Sequence, residues 1–304
     1  FSGTNVREWL ESIATQKCTA IPPGRCAYTH FLDQDGFLID DMIFAVVSEN
    51  EILGVPNASM IPVMWKWFNS LLPKDGSVIL EDLSPETSII ALQGPKAKSI
   101  CEAVLGAENH VGRFKWSPIK ENNLGVNGWI QGTGYTGESG YEIFVPNTDV
   151  QLLWRALIEA GSTPVGLGAR DTLRLEKGYL LSGVDFASRS LDENTALHRD
   201  SWETNVPFGL DLDHEFIGRS RVISHDDDDE KWWGVKQLER GPLPRGGKNV
   251  EDLDGNLIGI LTSGAPAPSL DRTGIGMGYI AKVEPGSEVM IVASPRKKIR
   301  AVIV

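Results

Sequence analysis

Apolar residues in the first part of the chain recur at the spacing of an amphipathic helix. Residues 5–16 carry one apolar face, and Asn5 stands where a helix N-cap is expected. The residues of that face are Val6, Trp9, Leu10 and Ile13. The sequence therefore predicts a helix at the start of the chain, followed by shorter apolar segments typical of strands.

Two of those segments, within residues 27–47, flank the dipeptide Asp35-Gly36. Such a dipeptide between apolar segments is a strong signal for a two-residue β-hairpin loop. A loop of that length pairs Gln34 with Phe37. We therefore predict a hairpin in which paired residue numbers sum to 71.

This register has a consequence for the polar residues of the hairpin. His30 then lies directly opposite Asp41, and Tyr28 lies two residues from His30 on the same face. A polar trio in an apolar patch is a common setting for an acid or base with a shifted pKa. A one-residue change in loop length removes this juxtaposition.

Helical and extended patterns alternate through the middle of the chain. A second helix is expected after Asn57, with inward residues Met64, Phe68, Leu71 and Leu72. Residues 88–106 predict strand, turn and helix, and residues 116–130 predict extended structure. Residues 166–178 predict a glycine-led helix. Another helix is expected over residues 148–161, with one face formed by Val150, Leu153, Trp154 and Leu157.

An acidic run over residues 225–231 is typical of a solvated linker or loop. Beyond it, short strands alternate with turn signals, which predicts a small all-β domain. The whole pattern predicts an α+β protein with antiparallel pairing and three domains. Their predicted bounds are residues 1–105, 106–225 and 226–304.

Composition narrows the classes of function. The 304 residues carry a formal net charge of −12, which argues against general binding of nucleic acid or anionic membranes. No apolar run approaches the roughly 18 residues of a membrane span. The three cysteines and five histidines are scattered, which disfavours a metal site and indicates free thiols in a reducing compartment, the cytoplasm.

The segment GYTGESGYEIFV, residues 134–145, places Glu142 inside an apolar stretch after a glycine-rich bend. A carboxylate on a half-buried strand needs hydrogen-bond donors. One interpretation is a salt bridge to a distant arginine. The other is a planar ligand with two adjacent N–H groups, such as a pterin or guanine, which a carboxylate accepts in a bidentate way.

Five segments in order carry a family resemblance: GFLIDDMIF, ALQGPKA, GYTGESGYEIF, PVGLGARDTLRLEKG and LTSGAPAPSL. With these segments the chain resembles the aminomethyltransferase family, the T-protein of the glycine cleavage system. The resemblance implies a three-domain, folate-binding cloverleaf. Its parts would be a ferredoxin-like α+β unit, a central domain with a mixed antiparallel sheet, and a small C-terminal β-barrel or jelly-roll domain.

The resemblance also implies a set of site residues. Asp41 matches the family's catalytic acid, and the implied contacts to tetrahydrofolate are Tyr28, Asn57, Tyr135, Glu142 and Arg170. Each has a structural alternative. Arg170 could belong to a surface ion-pair network with Arg174, Asn57 could cap the next helix, Tyr135 could be an ordinary strand aromatic, and Asp41 could pair with a basic neighbour.

The implied reaction moves a methylene carbon from the aminomethyl-lipoyl arm of H-protein to tetrahydrofolate, releasing ammonia. The expected partner is lipoylated H-protein, and the chain is expected to be a monomer. One alternative is a folate-dependent demethylase of a small substrate. Another is a non-enzymatic folate-binding protein of iron–sulfur maintenance, whose Lys-Gly-Cys signature is Lys177-Gly178-Tyr179 here.

The chain also departs from the family pattern. Family members carry a further N-terminal segment, so we expect the chain to lack that segment, part of the central domain, and the extreme C-terminus. Residues 190–212 form a longer and more polar stretch than the family leads us to expect. That stretch favours the demethylase alternative.

Overall fold

The computed structural model describes residues 1–226 and 228–304. These residues divide into two compact units. Unit 1 consists of Phe1–Thr29, Asp41–Gly166 and Asp211–Phe216. Unit 2 consists of His30–Asp40, Leu167–Leu210 and Ile217–Val304. This division into two units does not test the three predicted domain ranges, which remain predictions.

Helices and strands alternate along the chain as the apolar pattern predicts. The helices are α1 (Val6–Ile13), α2 (Ile61–Leu71), α3 (Ala97–Leu105), α4 (Val150–Glu159), α5 (Leu167–Lys177) and α6 (Arg219–Val222). The first seven strands are β1 (Arg25–Leu32), β2 (Leu38–Ser48), β3 (Glu51–Pro56), β4 (Thr87–Gln93), β5 (Trp116–Pro118), β6 (Trp129–Gln131) and β7 (Gly140–Pro146). The remaining strands are β8 (Lys231–Gln237), β9 (Asn249–Glu251), β10 (Leu257–Ala267), β11 (Thr273–Ile280), β12 (Glu288–Ser294) and β13 (Lys297–Ile303).

The predicted hairpin forms between β1 and β2, but its predicted register is wrong. The backbone N–H of Asp33 donates to the carbonyl of Phe37 (2.8 Å), so three residues separate the paired positions. The Asp33 carboxylate accepts the N–H groups of Asp35 and Phe37, both at 3.0 Å. Gly36 closes the turn with a φ of 86°, which favours glycine. This side-chain hydrogen bonding adds one residue to the loop.

The longer turn moves His30 away from its predicted position. A second backbone bond, from the N–H of Gly24 to the carbonyl of Val46, also joins residues whose numbers sum to 70. Counting along the strands then places His30 opposite Asp40 and Tyr28 opposite Met42. His30 therefore does not lie opposite Asp41.

The second sheet of unit 1 has the strand order β4-β7-β6-β5, with antiparallel pairs throughout. One face packs against α3 and α4 through Ile90, Ile130 and Ile143, which are buried. Strand residues alternate between faces, so the neighbouring positions point away from these helices. Two of the four residues predicted on the α4 face are buried, Leu153 and Leu157, whereas Trp154 is 45% exposed. Trp154 therefore contributes less than Leu153 and Leu157 to the buried part of the predicted face.

Unit 2 contains a closed barrel with the strand order β10-β11-β8-β13-β12-β9. Its interior is lined by buried apolar residues: Val235, Val250, Leu261, Ile280, Val289, Ile291, Ala301 and Ile303. The α+β class, the antiparallel sheets and the C-terminal barrel are thus confirmed. In the described part of the chain, no helix combines the length and apolarity that crossing a membrane requires.

Candidate functional site

Asp41 lies on β2 and is held by two donors of unit 1. The hydroxyl of Tyr28 donates to its Oδ2 at 2.8 Å. The side-chain amide of Asn57 donates to its Oδ1 at 2.6 Å and lies 3.4 Å from the Asp41 carbonyl oxygen. Each carboxylate oxygen thus has its own donor. This arrangement fixes the plane of the carboxylate.

Two opposing effects act on the Asp41 carboxyl group. Burial raises its pKa above the usual range, because an apolar surrounding disfavours the charged form. The hydrogen bonds from Tyr28 and Asn57 lower it by stabilising the carboxylate. Burial is the larger effect, so the group is poised to take up a proton more readily than an exposed aspartate.

Asn57 contacts Asp41 in the structure, whereas His30 lies elsewhere. The side chain of Asn57 makes no capping hydrogen bond to the following 3₁₀ helix, so its contact with Asp41 replaces the capping alternative. His30 is buried in unit 2, and its Nδ1 lies 3.0 Å from the hydroxyl of Ser201. Burial lowers the pKa of His30 to about 3. His30 is therefore a neutral group of the interior.

Glu142 lies on β7 and is half-buried. In the sheet it pairs with Ala91 of β4 and Gln131 of β6. The hydroxyl of Thr133 donates to its Oε2 at 2.5 Å. Burial, and next the charge of Glu142, raise the pKa of Cys26 to about 12. The glutamate thus lies near the start of β1, on the face away from α3 and α4.

The glycine-rich bend before Glu142 is held by one glutamine. The amide of Gln93 donates to the carbonyls of Thr133 (3.1 Å) and Tyr141 (3.0 Å). The hydroxyl of Thr136 donates to the same side chain at 3.0 Å. A Cβ atom at Gly134 would lie 2.0 Å from the Gln93 Oε1, so a larger residue there would displace the Gln93 amide. The Gln93 side chain thus occupies the space beside Gly134, and the predicted close approach of a ligand to the glycines stays a prediction.

Tyr135 lies in this bend and not within a strand, and it is half-buried. Its position excludes the alternative of an ordinary strand aromatic. Tyr28, Asn57, Asp41, Tyr135 and Glu142 all belong to unit 1. The first three make direct contacts, whereas Tyr135 lies in the bend that precedes the strand of Glu142. Their roles toward folate and catalysis stay predictions.

Arg170 lies on α5 in unit 2 and is exposed. Its neighbour Arg174 is only 2% exposed and forms the ion pairs expected of a structural network. Arg174 donates to Asp171 at 2.8 Å and to the fully buried Asp185 at 2.5 Å. It also donates to the hydroxyl of Ser263 at 2.9 Å. The ion-pair alternative therefore holds for Arg174, and Arg170 stays a predicted ligand contact.

Polar atoms on the outward face of β5 and β6 were not singled out from the sequence. Gln131 is 0% exposed, and both atoms of its amide lack a hydrogen-bond partner among the described residues. The indole nitrogens of Trp116 and Trp129 are buried and equally unpartnered there. Gln131 and Trp116 lie on the face of the sheet that carries Glu142. The only sequence feature that could have indicated these buried polar atoms is a polar residue, Gln131, two positions before Thr133.

Within residues 1–226 and 228–304, one group has the composition of a metal site: Asp200, Glu203 and His225. The His225 Nε2 lies 2.5 Å from Asp200, and Arg221 lies 2.9 Å from the same oxygen. Arg199 pairs with Glu203 at 2.8 Å. This group is an ion-pair network between the 190–212 stretch and the acidic run. The expected lack of a metal site stays a prediction.

Comparisons with known proteins show the family of the chain. The family model of the GCVT N-terminal domain matches residues 1–197. An aminomethyltransferase from Halothermothrix orenii is 36% identical over 97% of this chain and 81% of its own length. A probable aminomethyltransferase from Haloarcula marismortui is 33% identical over 98% of this chain and 81% of its own length.

A solved structure shares the fold over almost the whole chain. It is the crystal structure of glycine cleavage system aminomethyltransferase T from Bartonella henselae. The TM-score is 0.81 at 25% identity, over 99% of this chain and 81% of that one. The chain therefore belongs to the aminomethyltransferase family of the glycine cleavage system, a family of transferases.

Proposed function

We propose that this chain is a tetrahydrofolate-dependent aminomethyltransferase that uses lipoylated H-protein as its partner. The carbon of the aminomethyl thioether on the lipoyl arm loses its bonds to sulfur and nitrogen and becomes bonded to N5 and N10 of tetrahydrofolate. The two hydrogens displaced from N5 and N10 leave with the lipoyl thiol and with ammonia. The other product is 5,10-methylenetetrahydrofolate.

The observation that carries the proposal is the carboxylate of Asp41. Its two oxygens each have one donor, and burial raises its pKa. An ionised carboxylate offers about four acceptor positions, so Tyr28 and Asn57 leave room for a further N–H group. Asp41 then stabilises the reacting amine electrostatically or accepts its proton.

Glu142 supplies the recognition of the pterin edge in this proposal. Thr133 orients its carboxylate, and the adjacent pairing with Gln131 places polar atoms on the same face. A carboxylate accepts two neighbouring N–H groups of a pterin in a bidentate way. Tyr135 is proposed as a further folate contact in unit 1, and Arg170 stays a predicted ligand contact of α5.

The proposed setting is the cytoplasm, with the chain acting as a monomer in glycine catabolism and one-carbon metabolism. Cys18, Cys26 and Cys101 are free and buried, which suits a reducing compartment. We propose no binding to nucleic acid or to membranes. The cysteine signature of the iron–sulfur maintenance group is absent from Lys177-Gly178-Tyr179, which favours the enzyme.

The experiment is an ammonia-release assay with aminomethylated H-protein and tetrahydrofolate. We expect ammonia and 5,10-methylenetetrahydrofolate in equal amounts, and neither product when H-protein lacks its lipoyl group. Release of a methyl group from a small amine, with no response to H-protein, would replace the proposal by the demethylase alternative. Binding of folate without turnover of either donor would point to a non-enzymatic protein.

A further inference from the structure

Gln131 is a buried amide that the fold leaves without hydrogen bonds. The side chain is 0% exposed, and neither its oxygen nor its nitrogen has a partner among residues 1–226 and 228–304. Nearly all buried polar groups of folded proteins are hydrogen-bonded, and each exception calls for an explanation. Gln93, in the same sheet, makes several hydrogen bonds with its amide.

The position of Gln131 in the sheet places its amide next to Glu142. The two residues are directly paired between β6 and β7, so their side chains project from the same face. That face is opposite to Ile130 and Ile143, which pack in the helical core. Trp116 pairs with Gln131 from the other side, and its indole nitrogen is also unpartnered within the described chain.

The carboxylate of Glu142 and the amide of Gln131 offer complementary hydrogen-bonding groups. A carboxylate accepts only, whereas an amide both donates and accepts. The 2-amino-4-oxo edge of a pterin presents two N–H donors followed by one carbonyl acceptor. Glu142 can accept the two N–H groups, and the amide nitrogen of Gln131 can donate to the carbonyl. The same edge occurs in guanine.

We propose that Gln131 is a specificity-determining residue that reads the 4-oxo group of the pterin while Glu142 reads its amino edge. This proposal rests on the proposed function, because it assumes a pterin at Glu142. The amide of Gln131 is 0% exposed and Glu142 is half-buried, so the proposal requires the Gln131 side chain to turn toward Glu142 when the ligand binds. The amide is already stripped of water, so forming the bond carries little further desolvation cost.

The test compares Gln131→Met with Gln93→Met in the full chain. Methionine has a similar length and no hydrogen-bonding amide. We expect Gln131→Met to melt at the same or a higher temperature than wild type, because it removes an unpaired buried group. We expect its affinity for tetrahydrofolate to be roughly 2- to 10-fold weaker, the usual effect of losing one neutral hydrogen bond. Gln93→Met should melt at a lower temperature.

A second measurement uses 6-methyltetrahydropterin and its 2,4-diamino counterpart as probes, with guanosine as the purine comparison. Wild type should prefer the 4-oxo pterin, because only this ring carries the N3–H that Glu142 accepts together with the 4-oxo acceptor. Gln131→Met should lose part of that preference, and Glu142 should keep the rest; tighter binding of guanosine than of the pterin would overturn the assignment. If Gln131→Met binds both pterins like wild type, the proposal is wrong while the folate site stands. If it melts lower, like Gln93→Met, the amide is structural and the proposal is also wrong. If wild type binds no reduced pterin, the proposed function itself fails.

Should Gln131→Met fail to accumulate, Gln131→Leu provides the same comparison with a smaller side chain. Its melting temperature and its preference between the two pterins are measured in the same way. A preference for the 4-oxo ring as large as that of wild type in a folded Gln131→Leu protein would overturn the proposal.

Discussion

Removing the hydroxyl of Tyr28 should move the acidic limb of the pH–rate profile. In Tyr28→Phe, Asp41 loses the donor that lies 2.8 Å from its Oδ2, while Asn57 still donates to Oδ1. The lost bond stabilises only the ionised carboxylate. The pKa of Asp41 therefore rises further, in the same direction as the effect of burial.

The size of the effect follows from the geometry. A hydrogen bond to a charged group contributes roughly 1.5–3 kcal/mol, and the half-buried setting favours the lower end. About 1.4 kcal/mol corresponds to a factor of ten. Below the acidic limb, kcat/KM should fall roughly tenfold. Above it, where Asp41 is ionised in both proteins, the two rates should converge, apart from a pH-independent change in folate affinity.

The assay is ammonia release from aminomethylated H-protein at low substrate concentration across the pH range. Tyr141→Phe is the matched control, since it removes a hydroxyl that contacts His110 at 2.5 Å in the same unit, on a strand of a different sheet from that of Asp41. Its acidic limb should stay in place. A uniform loss of rate in Tyr28→Phe, with the limb unmoved, would refute Tyr28 as the group that tunes Asp41.

Two further substitutions test the ligand edge and the interior of unit 2. Glu142→Gln should weaken tetrahydrofolate binding by roughly 1–3 kcal/mol in calorimetry. Glu138 is exposed, so Glu138→Gln should bind tetrahydrofolate like wild type. Equal affinity of the two variants would remove Glu142 from the site. Asp185→Asn leaves the buried Arg174 without its innermost charge partner and should lower the free energy of unfolding by roughly 3–5 kcal/mol in urea. Asp171→Asn, which removes a half-exposed partner of the same arginine, should cost less than about 1 kcal/mol, and a reversed order would contradict this account of the pair.

Local pattern was sufficient for the elements but not for the register of the hairpin. Apolar spacing predicts α1, and the signal at Asp35-Gly36 predicts the hairpin. The loop length depends on the carboxylate of Asp33, which accepts two backbone N–H groups. Such competition between side chain and backbone is decided by a few hydrogen bonds and leaves no periodic signal. The one extra residue in the loop is the reason that His30 does not lie opposite Asp41, as the shorter loop predicted.

The family resemblance names candidate site residues, but the sequence does not predict the contacts that they make. The family resemblance names Asp41, Tyr28 and Asn57, yet their hydrogen bonds join residues on three separate strands or strand ends. The lack of a hydrogen-bond partner for the Gln131 amide among the described residues could not be predicted. It depends on which polar groups the folded chain leaves beyond hydrogen-bond distance of that side chain. A buried arginine such as Arg174 is equally hidden, since its partner Asp185 lies outside its own helix.

The central claim is that Asp41 acts on the reacting amine and does not anchor the folate. The measurement is Asp41→Asn, with tetrahydrofolate affinity and kcat for ammonia release determined on the same protein, and with Asp35→Asn in the exposed turn as the control. We predict nearly unchanged affinity and a kcat lower by roughly 10²–10⁴, the usual range for losing a general acid–base group. Turnover at the wild-type rate, or a loss explained entirely by weaker folate binding, would contradict the claim.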